Sequence, residues 1–270
     1  MSKKIMTIQD ISCYGQCSIT VALPVLSRYG IETAILPSAV LSTHTSGFKN
    51  FTVLDLTDEM PKIINHWINE GIKFDAIYTG YIGDVRQFDL ILDCKDKLLN
   101  ENGLFIVDPA MADHGKLYPA LNNDIIEGMK KICKVADYII PNITEACFLT
   151  NYAYKEAYDE DYINQLIDGL YKLGAKNVIL SGVSYEQDKI GAIAYDGSNK
   201  TSYFSQKQAK SYHGTGDIFS SIIVANILNN KSMEENLKDS VEFIIKCIKQ
   251  TVNDKNHSYG VKFEEVMANN

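Results

Sequence analysis

An aspartate at the head of an apolar helix either works or merely caps, and Asp217 poses that choice. It sits in SYHGTGDIFSS, where Gly214, Thr215 and Gly216 run directly into the helical spacing of IFSSIIVANIL. A glycine turn that feeds a helix leaves backbone N–H groups unpaired at the positive end of the helix dipole, which makes an anion cradle. Glycine also lets the backbone approach the anion without interference from a Cβ. Phosphoryl transfer needs such a cradle, and it needs a carboxylate to orient and deprotonate the attacking hydroxyl. Asp217 has the chemistry for the second task, with helix capping as the plain alternative. GxxxxGK[ST] is absent and no GxGxxG follows the first strand, which disfavours P-loop kinases and Rossmann dehydrogenases.

Such a turn must be held by a frame. Apolar spacing predicts strands over 4–10, 31–37, 74–80, 104–109, 137–142 and 177–182, then a hairpin of 189–197 and 201–207 around DGSNK. Helices are expected over 18–30, 57–71, 84–103 with its cap, 122–136, 144–150, 159–174, 214–230 and 232–252. Alternating strands and helices imply an α/β fold with a mostly parallel central sheet and helices on both faces. No repeat, low-complexity tract or long linker divides the 270 residues, so one domain over 1–270 is expected.

Ligands of such sheets gather beyond the carboxyl ends of the strands. The predicted strands end in Asp10, SAVLSTHT, TGYIGD, DPAMADHG, PNITEA and SG, so polar residues and glycines converge on one rim. Loops are polar for ordinary reasons too, and Asp108 before Pro109 or Asn142 after Pro141 would each suit a turn. The formal charge of -8 argues against a surface built for nucleic acid or anionic lipid. No stretch reaches transmembrane length, and the expected location is the cytoplasm. Six cysteines without a CxxC pair read as reduced core residues; Cys13 and Cys17 form only a weak metal or redox signal.

Taken in order, DPAMADHGKLY, PNITEA and GTGD resemble the ribokinase-like superfamily in its vitamin kinase branch. IMTIQDISCYGQCSITVALPVLSRYGIETAILPSAVLSTHT and GYIGD are similar to the pyridoxal kinase family, and the resemblance runs from about Ile5 to the helix after Asp217. It implies a ribokinase-like three-layer α/β/α sandwich and transfer of the ATP γ-phosphate to the hydroxymethyl group of a pyridoxine-type vitamer. Asp217 would then activate the substrate hydroxyl, with Gly214, Thr215 and Gly216 as the anion hole. Asp10, Thr45 and Tyr81 would bind the vitamin ring. Asp108, Asn142 and Ser181 would attend the nucleotide, Asp113 and Glu145 the Mg²⁺, and 111–120 would form a flap over the reaction. The family also implies a homodimer whose active sites lie largely within each subunit.

Two positions depart from the family. Pyridoxal kinases usually carry serine where this chain has Asp10, and a carboxylate there favours an acceptor bearing an amine. The family's threonine before Pro141, which helps bind a monovalent cation, is Ile140 here, leaving a K⁺ requirement open. The nearest rival is a hydroxymethylpyrimidine or hydroxymethylpyrimidine phosphate kinase; that subfamily commonly has GTGC at the turn, and GTGD favours the pyridoxal side. A non-catalytic vitamin- or nucleotide-binding protein on the same scaffold is the other alternative.

Overall fold

A computed structural model describes residues 2–45, 47–119 and 121–269. Its centre is β1 (Lys4–Ser12), a strand buried along almost its whole length. Adjacent residues of a strand point to opposite faces, so Ile5 enters one core while Met6 and Ile8 enter the other. Burial on both faces is what a parallel strand between two helix layers requires. β2 (Glu32–Leu41) and β4 (Phe74–Thr79) flank β1 in parallel, and β5 (Leu99–Val107), β8 (Tyr138–Ile139) and β9 (Asn177–Val183) continue outward from β4.

Antiparallel strands close both edges. β3 (Val53–Asp55) pairs with β2, while β10 (Lys189–Tyr195) and β11 (Lys200–Gln206) form the expected hairpin beyond β9. The nine-stranded order is β11-β10-β9-β8-β5-β4-β1-β2-β3.

On one face, α1 (Ile19–Arg28), α7 (Thr215–Leu228) and α8 (Met233–Thr251) pack over Ile5, Ala76, Tyr78 and Ile179. On the other lie α2 (Met60–Asn69), α3 (Arg86–Leu98), α4 (Asp124–Cys133), α5 (Ile143–Thr150) and α6 (Glu160–Leu173), over Met6, Ile77, Phe105 and Val107. This is the expected three-layer sandwich. α9 (Phe263–Ala268) seals the outer edge of α1, α7 and α8 through Phe263 and Val266.

Several boundaries differ from the sequence reading. The helix expected over 84–103 stops at Leu98, and Leu99 pairs with Phe74 at the start of β5. Gly103 lies where an added Cβ would stand 2.7 Å from the Leu99 side chain, so the chain folds tightly back on itself there. The strand expected over 137–142 shrinks to two residues: Pro141 brings no N–H, and Asn142 keeps only an isolated bridge to Ser181 while its side chain caps α5. The edge strand β3, the helix α9 and a small hairpin of β6 (Ala112–Asp113) and β7 (Lys116–Leu117) are too short to leave a periodic signal.

Candidate active site

Gly214 is the N-cap of α7 at φ 79°, ψ -5°, and an added Cβ would stand 1.8 Å from the Gln16 carbonyl oxygen. Only glycine fits both that conformation and that approach. The Gly214 carbonyl takes the first helical bond, from Ile218 N–H at 3.1 Å, so Thr215 and Gly216 stand in the turn whose N–H groups have no helical acceptor. The Thr215 hydroxyl donates to Tyr212 O at 3.0 Å and pins the turn to the preceding chain.

Asp217 lies in the first turn of α7, where its carboxyl faces its own N–H, so a share in capping the helix stays open beside catalysis. Its carboxyl faces the Ser18 N–H and has the Asp10 charge close by; burial first, and then Asp10, push it up to about 7. A carboxyl that titrates near neutrality suits proton transfer at cellular pH. Asp108, just past β5, is 6% exposed and is pushed up to about 8 by burial and by the Asp217 charge, with the Ser220 hydroxyl of α7 turned toward it.

Glu145 is buried in the first turn of α5. Its Oε2 accepts Asn142 N–H at 2.8 Å and its Oε1 accepts Met111 N–H at 3.2 Å. Burial and the Asp108 charge nonetheless hold it well above the usual carboxylate range. Asn142 returns the bond by accepting Glu145 N–H at 2.9 Å, and its Nδ2 donates to Ala112 O at 2.9 Å. Asn142 and Glu145 therefore anchor the segment expected to form the flap. It carries the β6–β7 hairpin, turning at His114 (φ 50°) and Gly115 (φ 75°), and Gly115 N–H donates to Thr144 Oγ1 at 3.1 Å. Ala120, the last residue of the expected flap, lies outside the described residues.

Asp113 stands exposed on this hairpin, accepting His114 N–H at 2.8 Å, while Asp108 and Glu145 are buried below it. Among the described residues, no three acidic, histidine or cysteine side chains come close enough to hold a metal by themselves. Ser181 lies beside the same rim, its N–H donating to Pro141 O at 2.9 Å and its residue bridging to Asn142. Ile140 is buried in the apolar core.

The other end of the pocket centres on Asp10, only 3% exposed. Ser12 Oγ donates to Asp10 Oδ2 at 2.8 Å and the Ser18 hydroxyl faces the same carboxyl, yet burial raises it overall. The Asp10 charge is also felt by Tyr81, whose hydroxyl burial and Asp10 together push up to about 12. Thr45 is half-buried in the loop after β2. Next to it, the His44 ring packs 4.9 Å from Phe48 and 5.8 Å from His213, which ties the His-Thr pair to the residue before Gly214.

The phosphomethylpyrimidine kinase family matches residues 19–262, from the start of α1 to the residue before α9. The chain belongs to that family. A Bacteroides thetaiotaomicron structure named as a phosphomethylpyrimidine kinase and solved with pyridoxal superposes with a TM-score of 0.94 at 34% identity, covering 100% of this kinase and 96% of that chain. The pyridoxal kinase of Dictyostelium discoideum is 27% identical over 94% of this kinase and 88% of its own length. The hydroxymethylpyrimidine/phosphomethylpyrimidine kinase of Haemophilus influenzae is 27% identical over 93% of each. The kinship read from the motifs holds, and with it the ribokinase-like fold, the use of ATP and the phosphotransferase class.

Sequence reasoning missed five side chains of this kinase's pocket. Tyr78 on β4 is fully buried with its hydroxyl close to the charges of Asp108 and Asp217. Tyr118 follows the flap hairpin and feels Glu145, Asp217, Asp113 and Asp108 at once. Ser220 faces Asp108 and Ser18 faces Asp10 and Asp217. Cys17 corrects the reading of the cysteines as core residues: burial, Asp217 and Asp10 all push its thiol upward, so it belongs to the pocket wall, and Cys13 is exposed. The other four cysteines are buried and all six are free.

Gln16 completes this wall from the far end of the chain. Its Nε2 reaches both Glu264 oxygens at 2.9 and 2.7 Å, and its Oε1 lies 3.0 Å from His257 Nε2. Gln16 N–H donates to Tyr259 O at 3.0 Å, and the Tyr14 and Tyr259 rings meet at 4.9 Å.

Proposed function

We propose that this kinase transfers the γ-phosphoryl group of ATP to the 5'-hydroxymethyl group of a vitamin B6 vitamer, in salvage of pyridoxal phosphate. The observation that carries this reading is Asp217, poised near neutrality beside the glycine turn, with a polar pocket around Asp10 on one side and Asp108 and Glu145 on the other. The relative solved with pyridoxal gives the acceptor class.

Asp217 would accept the proton of the acceptor hydroxyl as it attacks, and the N–H groups of Gly214, Thr215 and Gly216 would take up charge on the transferring phosphoryl oxygens. Asp10, Thr45 and Tyr81 would hold the ring. Asp108, Asn142 and Ser181 would border the nucleotide, and the flap would exclude water from the γ-phosphate.

Mg²⁺ fits the donor set. Asp108 and Glu145 are buried carboxyls whose mutual repulsion a divalent cation would relieve, and Mg²⁺ is commonly held by one or two carboxylates together with phosphate oxygens and water. Glu145 and Asp113 would serve it, and it would neutralise charge on the phosphates. Ile140 offers no oxygen to K⁺ from its side chain, so we propose that turnover does not depend on that residue for a monovalent cation. One kinase domain over 1–270, homodimeric assembly and a cytoplasmic location complete the proposal. Among the described residues no helix is long and apolar enough to cross a membrane.

The test is ADP release with pyridoxal, pyridoxamine, pyridoxine and hydroxymethylpyrimidine as separate acceptors. The reading expects a kcat/KM at least tenfold higher for one B6 vitamer than for hydroxymethylpyrimidine. The Haemophilus relative makes the pyrimidine the specific rival, and the reverse ranking would select it.

A further inference from the structure

Ser18 holds a backbone conformation that its side chain disfavours, φ 48° and ψ -130°. Among the described residues four other non-glycines have positive φ: Asn50, His114, Asn151 and Asn230. Asparagine tolerates the left-handed basin, and Asn151 at φ 60°, ψ 25° sits within it. Ser18 lies far outside that basin. Such outliers persist only where the surroundings over-determine them, and they gather at functional sites.

The surroundings here are specific. Cys17 N–H donates to Thr20 Oγ1 at 3.3 Å, and the Thr20 hydroxyl lies 3.0 Å from Gly15 O and 2.7 Å from Cys17 O. The Ser18 carbonyl receives the first bonds of α1, from Val21 and Ala22 N–H at 3.1 and 2.8 Å. Ser18 is thus the N-cap of α1, a position where serine ordinarily accepts an N–H with its hydroxyl, and here it makes no such bond. The hydroxyl faces Asp10 and the N–H faces Asp217.

We infer that Ser18 is a positioning residue for phosphoryl transfer, its twisted backbone aiming the N–H at Asp217 and the hydroxyl at Asp10 so that two neighbouring carboxylates stay apart and oriented. Its N–H, together with that of Asp217 itself, would orient the Asp217 carboxyl toward the acceptor. Its hydroxyl and that of Ser12 supply Asp10 with donors in place of water. The same two carboxyls are faced by Cys17 from the loop, Tyr81 from the β4 end, Tyr78 from β4, Asp108 from the β5 end and Tyr118 from the flap. Of the groups between the two carboxyls, Ser18 turns its hydroxyl to Asp10 and its N–H to Asp217.

This inference rests on the proposed phosphotransferase reading, and its test separates the two. Ser18→Gly relieves the backbone, keeps the N–H and removes the hydroxyl; Ser18→Ala keeps the unfavourable backbone and removes the hydroxyl. Each variant is compared with the parent in thermal unfolding, in kcat/KM with the best acceptor, and in titration of ¹³C-labelled aspartate carboxyls, with Asp10 assigned by its loss in Asp10→Asn. We expect Ser18→Gly to unfold no earlier than the parent, to lose about tenfold or more in kcat/KM, and to shift the Asp10 midpoint upward. Ser18→Ala shows the same upward shift. An unshifted Asp10 midpoint, or parental kcat/KM in Ser18→Gly, overturns the inference. A parent enzyme that turns over none of the four acceptors overturns the functional reading instead, and the carboxyl titration still decides where the Ser18 hydroxyl acts.

Discussion

Asn142 and Glu145 cap one another across the first turn of α5, each side chain bonding the other's backbone N–H, at 2.9 and 2.8 Å. The second Glu145 oxygen accepts from Met111, so a helix cap and the flap base share one carboxylate. Capping boxes usually lie on the surface as stability devices. This one is buried beside Asp108, where under the proposed function the carboxylate would also serve a cation bound to phosphate.

Glu145→Gln keeps the Asn142 half of the cap but sets an amide NH₂ against one of the N–H donors. The Mg²⁺ concentration for half-maximal rate is expected to rise about tenfold or more, as loss of a supporting carboxylate does in other metal sites. Titrating Mg²⁺ at fixed ATP checks this.

Asp217→Asn preserves shape and removes the base. We expect kcat to fall at least ~10²-fold with ATP binding retained. Asn can keep the backbone bonds that the Asp217 carboxyl accepts in the first turn, so the unfolding temperature stays within about 2 °C of the parent near pH 6, below the Asp217 midpoint. Single-turnover kinetics with calorimetric nucleotide binding separates the two effects.

The pH dependence has a definite sign. Asp217 must be ionised to accept a proton and is held near 7, so kcat/KM rises with pH through about 7 and levels off above it. Asp10→Ser removes the negative neighbour that helps raise Asp217, and the midpoint moves to lower pH. A midpoint that stays put in Asp10→Ser would show that burial alone sets it.

The same substitution tests what the acceptor pocket prefers. An ionised carboxylate accepts and does not donate, so Asp10 should favour pyridoxamine over pyridoxal. The ratio of their kcat/KM values is expected to swing toward pyridoxal by about tenfold in Asp10→Ser. An identical ratio in both proteins refutes a selecting role for Asp10.

Stability carries the cost of these carboxyls. Asp108 titrates at about 8 in the folded chain and near 4 when unfolded, so between those values the folded state keeps a proton that the unfolded state releases. Its contribution is favourable at low pH and is lost as pH rises through 8. Asp108→Asn should therefore raise the unfolding temperature of the ligand-free protein at pH 8.5 by about 2–4 °C and change it little at pH 5. Calorimetry at the two pH values decides.

The parts of the site that the sequence displays are those where chemistry and an element boundary coincide. Asp217 at a helix head, Asp108 before a proline and Asn142 ahead of Glu145 all stand where a strand or turn ends, so local pattern places them. Tyr78 carries no such mark, because a tyrosine on a central strand reads as core until β5 and α7 bring Asp108 and Asp217 to its hydroxyl. Ser18 reads as an ordinary helix start, since its twisted backbone leaves no trace in composition. Cys17 looked like core for the same reason: its partners come from β1 and α7. The short elements β3, β6, β7 and α9 exist through tertiary pairing and packing, which no window of their own residues contains.

Gln16 meets Glu264 across 248 residues of chain. At ~5–20 residues per second, a ribosome takes roughly 12–50 s between making one and making the other. During that interval the loop around Gln16 can be held by its own strand and helix, but the brace behind it does not yet exist. The brace behind Gln16 is therefore made well after Gln16 itself, and a chain that has not yet reached Glu264 lacks it.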